Sequence, residues 1–241
     1  LKNELHDDRI KWAYLPYSMH MAGPRGQLKH IHRRAHVCTK QNGDNTDDRS
    51  ITGVGFQPDW TWNKRRNHTA SHMSYDAVRG ATKNLLVNTT NAENTEANAV
   101  QAFESDGFQV GDDANSNSSS YNFVAWNWKA NGSGSSNTDG TINTTATSVN
   151  VDAGFSIVSY TGTGSAATIG HGLSKAPEMI IVKNRVNSRN WRIYHKYSGA
   201  SDPETDFLNL DTTEALADYV TWNDTAPTAS VFSITSSSDR A

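Results

Sequence analysis

The chain of 241 residues has a single cysteine, Cys38, so no disulfide can form within it and burial with backbone pairing must hold the fold. It has no long apolar run: nothing approaches the roughly 18 residues of a membrane span, and the first residues, LKNELHDDRI, lack the apolar core of a secretion signal. It begins with Leu, from which an upstream portion is expected to be missing. It has no strong excess of either charge: 22 Lys and Arg against 25 Asp and Glu leave a net charge of −3, which argues against nucleic acid or an anionic membrane as the default partner. It lacks G-x-S-x-G, H-E-x-x-H and the phosphate-binding loop, the local signatures of common hydrolytic and nucleotide sites. Helix-forming sequence is scarce too. One candidate, Asn91 to Phe103, is polar and Asn-rich, enough for a turn or two.

What is present is Asn, Ser, Thr, Gly and Asp in quantity, with aromatic and β-branched residues carrying much of the apolar content. That mixture suits short strands joined by polar turns. Alternation marks several strands. Trp60 and Trp62 share a face opposite Thr61 and Asn63; Val124, Trp126 and Trp128 share another; Phe155 and Ile157 oppose Val158 and Tyr160. The run EMIIVKN, by contrast, is continuously apolar, as in a strand covered on both faces.

The chain also repeats itself. GVGFQPDWTWNKRR (Gly53 to Arg66) lies over GHGLSKAPEMIIVKNR (Gly170 to Arg185), pairing Pro58 with Pro177, Asp59 with Glu178, Lys64 with Lys183 and Arg66 with Arg185. Downstream, Tyr75 falls on Tyr194, LLVNTTNA on LNLDTTEA, and Phe108 on Phe232. The fixed order of these matches predicts a duplicated all-β, sandwich-like unit: one domain over residues 42–130, a second over 151–241, and an Asn/Ser/Gly/Thr-rich flexible linker or long surface loop over 131–150. The second unit is expected to lack its last strand, because nothing after Phe232 matches Tyr121 to Trp128. Residues 1–41, with five of the nine histidines, read as a non-conforming arm: a separate peptide, a disordered segment or the product of a shifted frame.

GFQPDWTWNKRR, YDAVRGATKNLLVNTTNAE, FESDGFQVG, YNFVAWNWKA and AGFSIVSYTGTGSAATIGHGLSKAPEMIIVKNR, in that order, resemble a β-rich repeated domain of bacteriophage tail-fibre and other virion-surface proteins, marine phages especially. The resemblance spans about Asn42 to Ala241 and implies a place, the virion exterior, rather than a reaction. Asn63 departs from it, interrupting a strand that is usually apolar there.

Four features bear on chemistry. His30, His32, His36 and Cys38 have zinc-ligand side chains, but Arg33 and Arg34 beside them repel a cation, so a solvated basic arm is the simpler reading. The acidic runs Gly43 to Asp48 and Gly111 to Asn117 match no calcium array and read as turns. The cation pairs Lys64 with Arg66, and Lys183 with Arg185, are either charges that keep a strand end soluble or a pair facing an acidic sugar or a neighbouring subunit. Finally Trp222, Asn223 and Asp224 sit in a loop-like context, where an exposed ring stacks on a sugar while the polar neighbours reach its hydroxyls.

The expectation is a non-enzymatic structural and adhesive segment of a phage tail fibre or virion appendage, located on the virion and outside the cell. Its partners are a host-surface glycan and other virion proteins or copies of itself, without nucleic acid, membrane insertion, metal or cofactor. A secreted bacterial adhesin or carbohydrate-binding module is the alternative, and a glycan depolymerase the less favoured one.

Overall fold

The structure is a computed structural model that describes residues 35–199 and 201–236. In chain order its strands are β1 (His36–Asn42), β2 (Arg49–Thr52), β3 (Trp60–Arg65), β4 (Met73–Asp76), β5 (Gly80–Leu86), β6 (Asn94–Thr95), β7 (Val100–Glu104), β8 (Gly107–Val110), β9 (Asn122–Trp128), β10 (Ala146–Asn150), β11 (Phe155–Ser159), β12 (Ala167–Gly170), β13 (Met179–Val182), β14 (Arg192–His195), β15 (Asp206–Asn209), β16 (Ala217–Asp218) and β17 (Val231–Ile234). A single turn of helix, α1 (Ala114–Asn117), precedes β9. The protein is all-β with antiparallel sheets, as its composition implies.

In the first half a six-stranded sheet, β1-β9-β3-β4-β5-β6, faces a three-stranded sheet, β2-β8-β7. Between them lie Ile51, Met73, Tyr75, Ala99, Val100, Phe108, Val110 and Ala125, all buried. The second half pairs β12 with β17, β10 with β11, and β13-β14-β15-β16 in a row. Its core is Ile142, Ile169, Phe232 and Ile234, with Val158, Tyr160, Ile180 and Val182 packed around them.

The two halves follow the same pairing plan. β3-β4-β5-β6 has its parallel in β13-β14-β15-β16, and the β2–β8 pair in β12–β17. Register agrees as well: Trp60 lies opposite Asp76 and Thr61 opposite Tyr75, as Met179 lies opposite His195 and Ile180 opposite Tyr194.

Three expectations need correction. Residues 36–41, assigned to a non-conforming arm, form most of β1, which pairs along its whole length with β9. Its alternation is plain in the burial pattern, with Val37, Thr39 and Gln41 half-buried and His36, Cys38 and Lys40 exposed; the clustered histidine, cysteine and basic residues mask it in the sequence. Residues 1–34 lie outside the described residues. Second, residues 131–150 are no loose linker. Asp59, itself buried, accepts the backbone N–H groups of Ala130 and Gly132 at 2.7 and 3.1 Å, Asn131 donates to Ser148 Oγ, Ile142 enters the second core, and Ala146–Asn150 is a strand. Small polar residues suit such a segment because it runs close against other backbone: a Cβ on Gly134 would lie 2.5 Å from the Thr147 carbonyl. Third, Asn91 to Phe103 contains no helix but β6 and most of β7.

The described residues of both halves belong to one compact unit. Leu85 and Val87 of the first half bury Trp191 of the second, whose indole Nε1 donates to the Leu86 carbonyl at 3.0 Å. Glu93 binds Arg185 through both side chain and backbone.

Candidate functional site

The six-stranded sheet has an unusual polarity. On β3, Thr61, Asn63 and Arg65 are buried and face the core, being register partners of Tyr75, Met73 and Phe123, while Trp60, Trp62 and Lys64 lie half-buried on the opposite face. The inward polar groups are largely paired. Thr61 Oγ1 donates to Asn127 Oδ1 at 3.0 Å, Asn127 Nδ2 reaches Val37 O, and Arg65 Nη2 donates to Ala114 O at 2.6 Å with its guanidinium 3.9 Å over the Tyr121 ring. Arg65 thereby holds α1 against the sheet. Asn63 differs, with neither of its amide atoms paired.

The outward face carries the aromatics. Register places His36, Trp128 and Trp60 in one row, Cys38, Trp126 and Trp62 in the next, and Lys40, Val124 and Lys64 in the third. Opposed residues of an antiparallel pair share a face, so these nine side chains form one surface. Trp60 stacks on Trp128 with ring centroids 4.4 Å apart, and on Phe155 of β11 at 5.8 Å with planes 9° apart. Trp62 meets Trp126 edge-on at 6.0 Å. Exposure rises across the sheet towards β1. Asp76 and Ser74 on β4 are buried, Trp60, Trp62, Trp126 and Trp128 are half-buried, and His36, Cys38 and Lys40 are exposed.

Two of the four tryptophans are locked from within. Trp60 Nε1 donates to Ser74 Oγ at 2.8 Å, and Trp62 Nε1 donates to His72 Nδ1 at 3.1 Å. Burial, and then the Lys64 ammonium, lower the His72 pKa below its ordinary value, which keeps the ring neutral and Nδ1 an acceptor. Among the described residues the indole N–H groups of Trp126 and Trp128 have no acceptor, and neither is buried.

Of the residues singled out from sequence, Trp222 is corrected. It is 2% exposed, donates from Nε1 to the Asp206 carbonyl at 3.0 Å, and meets Tyr194 edge-on. No sugar can reach that ring. Asn223 and Asp224 beside it are an exposed turn with φ of 54° and 44°, a conformation Asn and Asp tolerate. Lys183 Nζ donates to the carbonyls of Thr90 and Arg189, and Arg185 is paired with Glu93, so both work inside the molecule. Arg66 is exposed, with its backbone N–H on Asn122 O. Lys64 belongs to the aromatic face. The tryptophan rows were present in the sequence as alternation; which of their two sides stays open was not.

The other candidates divide between an exposed strand and bonded turns. His36 and Cys38 lie two apart on β1, whereas His30 and His32 fall outside the described residues. The acidic turns are tied together by Asn117, whose Nδ2 donates to Thr46 O and whose Oδ1 accepts from the Asp44 N–H and Arg49 Nη1. Asp113 caps α1 by accepting from Asn115 N.

No curated protein and no solved structure matches the chain significantly. Over residues 35–241, from the start of β1 through both halves, the chain belongs to the family described as a domain of unknown function (DUF7483).

Proposed function

We propose that the chain is a non-enzymatic structural and adhesive segment of a virion appendage such as a phage tail fibre, which holds a tryptophan-lined sheet face towards glycans of a host surface. The single observation that carries this reading is the aromatic face of β1, β9 and β3. Four indole rings lie in two rows on a sheet whose back is packed, and among the described residues the N–H donors of two of them have no acceptor. Aromatic planes stack on the C–H faces of sugars and indole N–H groups reach hydroxyls, so such a surface binds saccharide without moving. The resemblance to virion-surface repeats supplies the setting, and the joined halves supply the stiffness that an attachment segment needs.

The test is binding of the labelled whole chain to a panel of bacterial strains, before and after periodate oxidation of their surface polysaccharide. Binding that periodate abolishes supports the reading. Binding to no strain, or binding that periodate leaves intact, overturns it. Shortening of the polysaccharide by the protein would instead favour a depolymerase.

A further inference from the structure

The tryptophan face is also a charged one. β1, β9 and β3 contain no Asp or Glu, yet Lys40 and Lys64 flank Val124 in the row next to Trp126 and Trp62. Lys40 is exposed and has no partner among the described residues. Lys64 spends one donor on the Arg65 carbonyl at 2.6 Å and keeps the rest. Asp76 on β4, which the register sets opposite Trp60 on the same face, is buried and ion-paired with Arg79. The two ammonium groups therefore lie together at one end of the surface, in the row of Val124 and away from the row of Trp128 and Trp60.

We propose that this face selects an anionic saccharide residue, its ring stacked on Trp126 and Trp128 and its carboxylate or sulfate held by Lys40 and Lys64. The inference rests on the glycan-binding reading above and adds the class of sugar. Each part has a physical reason. The indole N–H groups of Trp126 and Trp128 donate to sugar hydroxyls, whereas those of Trp60 and Trp62 are already committed to Ser74 and His72. A carboxylate between two ammonium groups gains charge-assisted hydrogen bonds, the stronger kind, on three strands that contain no acid of their own. Burial, and then the Arg65 charge, push the Lys64 ammonium below its ordinary pKa; a bound anion relieves the second effect directly.

The experiment is a glycan array carrying sialylated, uronate-containing, sulfated and neutral members, probed with the whole chain and two double variants, Lys40→Met with Lys64→Met and Trp126→Ala with Trp128→Ala. Wild-type protein should bind anionic members at least about tenfold better than their neutral counterparts, the worth of one charge-assisted hydrogen bond. The lysine variant should lose that preference yet keep its circular dichroism spectrum, and the tryptophan variant should lose binding to both. Equal binding to anionic and neutral members overturns the selectivity while leaving glycan binding intact. Binding to no anionic member overturns it as well. Because β1 is an edge strand, sedimentation velocity is run in parallel: a dimer that the tryptophan variant dissolves would make this face a self-interface and overturn the proposal.

Discussion

The Glu93 carboxylate takes Nε and Nη2 of Arg185 at 2.8 and 2.9 Å and Nη1 of Arg79 at 3.1 Å, so one acid of the first half clamps a cation from each half. Burial opposes ionisation of Glu93, but the hydrogen bonds from Arg185 and Arg79 outweigh it and hold the carboxyl below its ordinary pKa. Removing Glu93 takes the carboxylate from Arg185 and leaves Arg79, 6% exposed, to Asp76 alone. Glu93→Ala should therefore cost about 2 kcal/mol in urea denaturation, the worth of a hydrogen bond to a charged group rather than of a wholly broken buried pair, because Asp76 stays on Arg79 and Arg185 is 39% exposed. The contribution is present above the unfolded glutamate pKa of 4.5 and lost as pH falls through the lower folded value. Wild-type and variant midpoints should converge in acid, and a constant gap would contradict the assignment.

Lys183 acts at the alkaline end of the pH range. Burial pushes its amine down to about 8, only partly offset by Asp211. Between that value and the unfolded lysine pKa the unfolded chain binds the extra proton, so this residue makes stability rise with pH across the window. Lys183→Met should remove that rise, read as unfolding midpoints at pH 7 to 10.5, and NMR of the lysine side chain should place its titration near 8.

Trp222→Ala should destabilise the protein by about 3–5 kcal/mol, the cost of emptying a buried aromatic site. Trp222→Phe keeps most of the ring and gives up the bond to Asp206 O, so it should cost about 1 kcal/mol. Both are read by thermal or chemical unfolding. Glycan binding by the folded fraction of either should match wild type.

Gly134 has φ of 73° and no room for a side chain against Thr147 and Ser148. Gly134→Ala should cost about 2 kcal/mol through strain and overpacking combined. The same packing predicts that dilute protease leaves residues 131–150 uncut in the native protein; prompt cleavage there into two stable halves would contradict it.

Asn63 is fully buried with both amide atoms unpaired, among Met73, Tyr75 and Ala125. An unpaired buried polar group costs about 1–3 kcal/mol, so Asn63→Val should hold stability or raise it by about 1 kcal/mol despite the bulkier β-branched side chain. A large loss would mean that the amide finds partners the static structure does not hold.

Periodicity in the sequence determined a good deal. The alternation of β3, β9 and β11 assigns each residue to one of two faces, because successive side chains on a strand point opposite ways whatever surrounds them. Phe155 and Val158 do part as alternation requires, one to Trp60 and the other to the second core. The matched stretches from Gly53 and from Gly170 fall on strands paired in the orders β3-β4-β5-β6 and β13-β14-β15-β16, and turn residues with apolar spacing set strand length and register locally. Tertiary structure alone decided which face is covered. Thr61 and Asn63 are inside and Trp60 and Trp62 half outside because β2, together with β7 and β8 from further along the chain, closes over one side, while Phe155 and Trp191 cover only part of the other. The fate of Trp222 and of residues 131–150 was settled the same way: a polar, loop-like sequence is open to solvent only where no other backbone comes to lie against it.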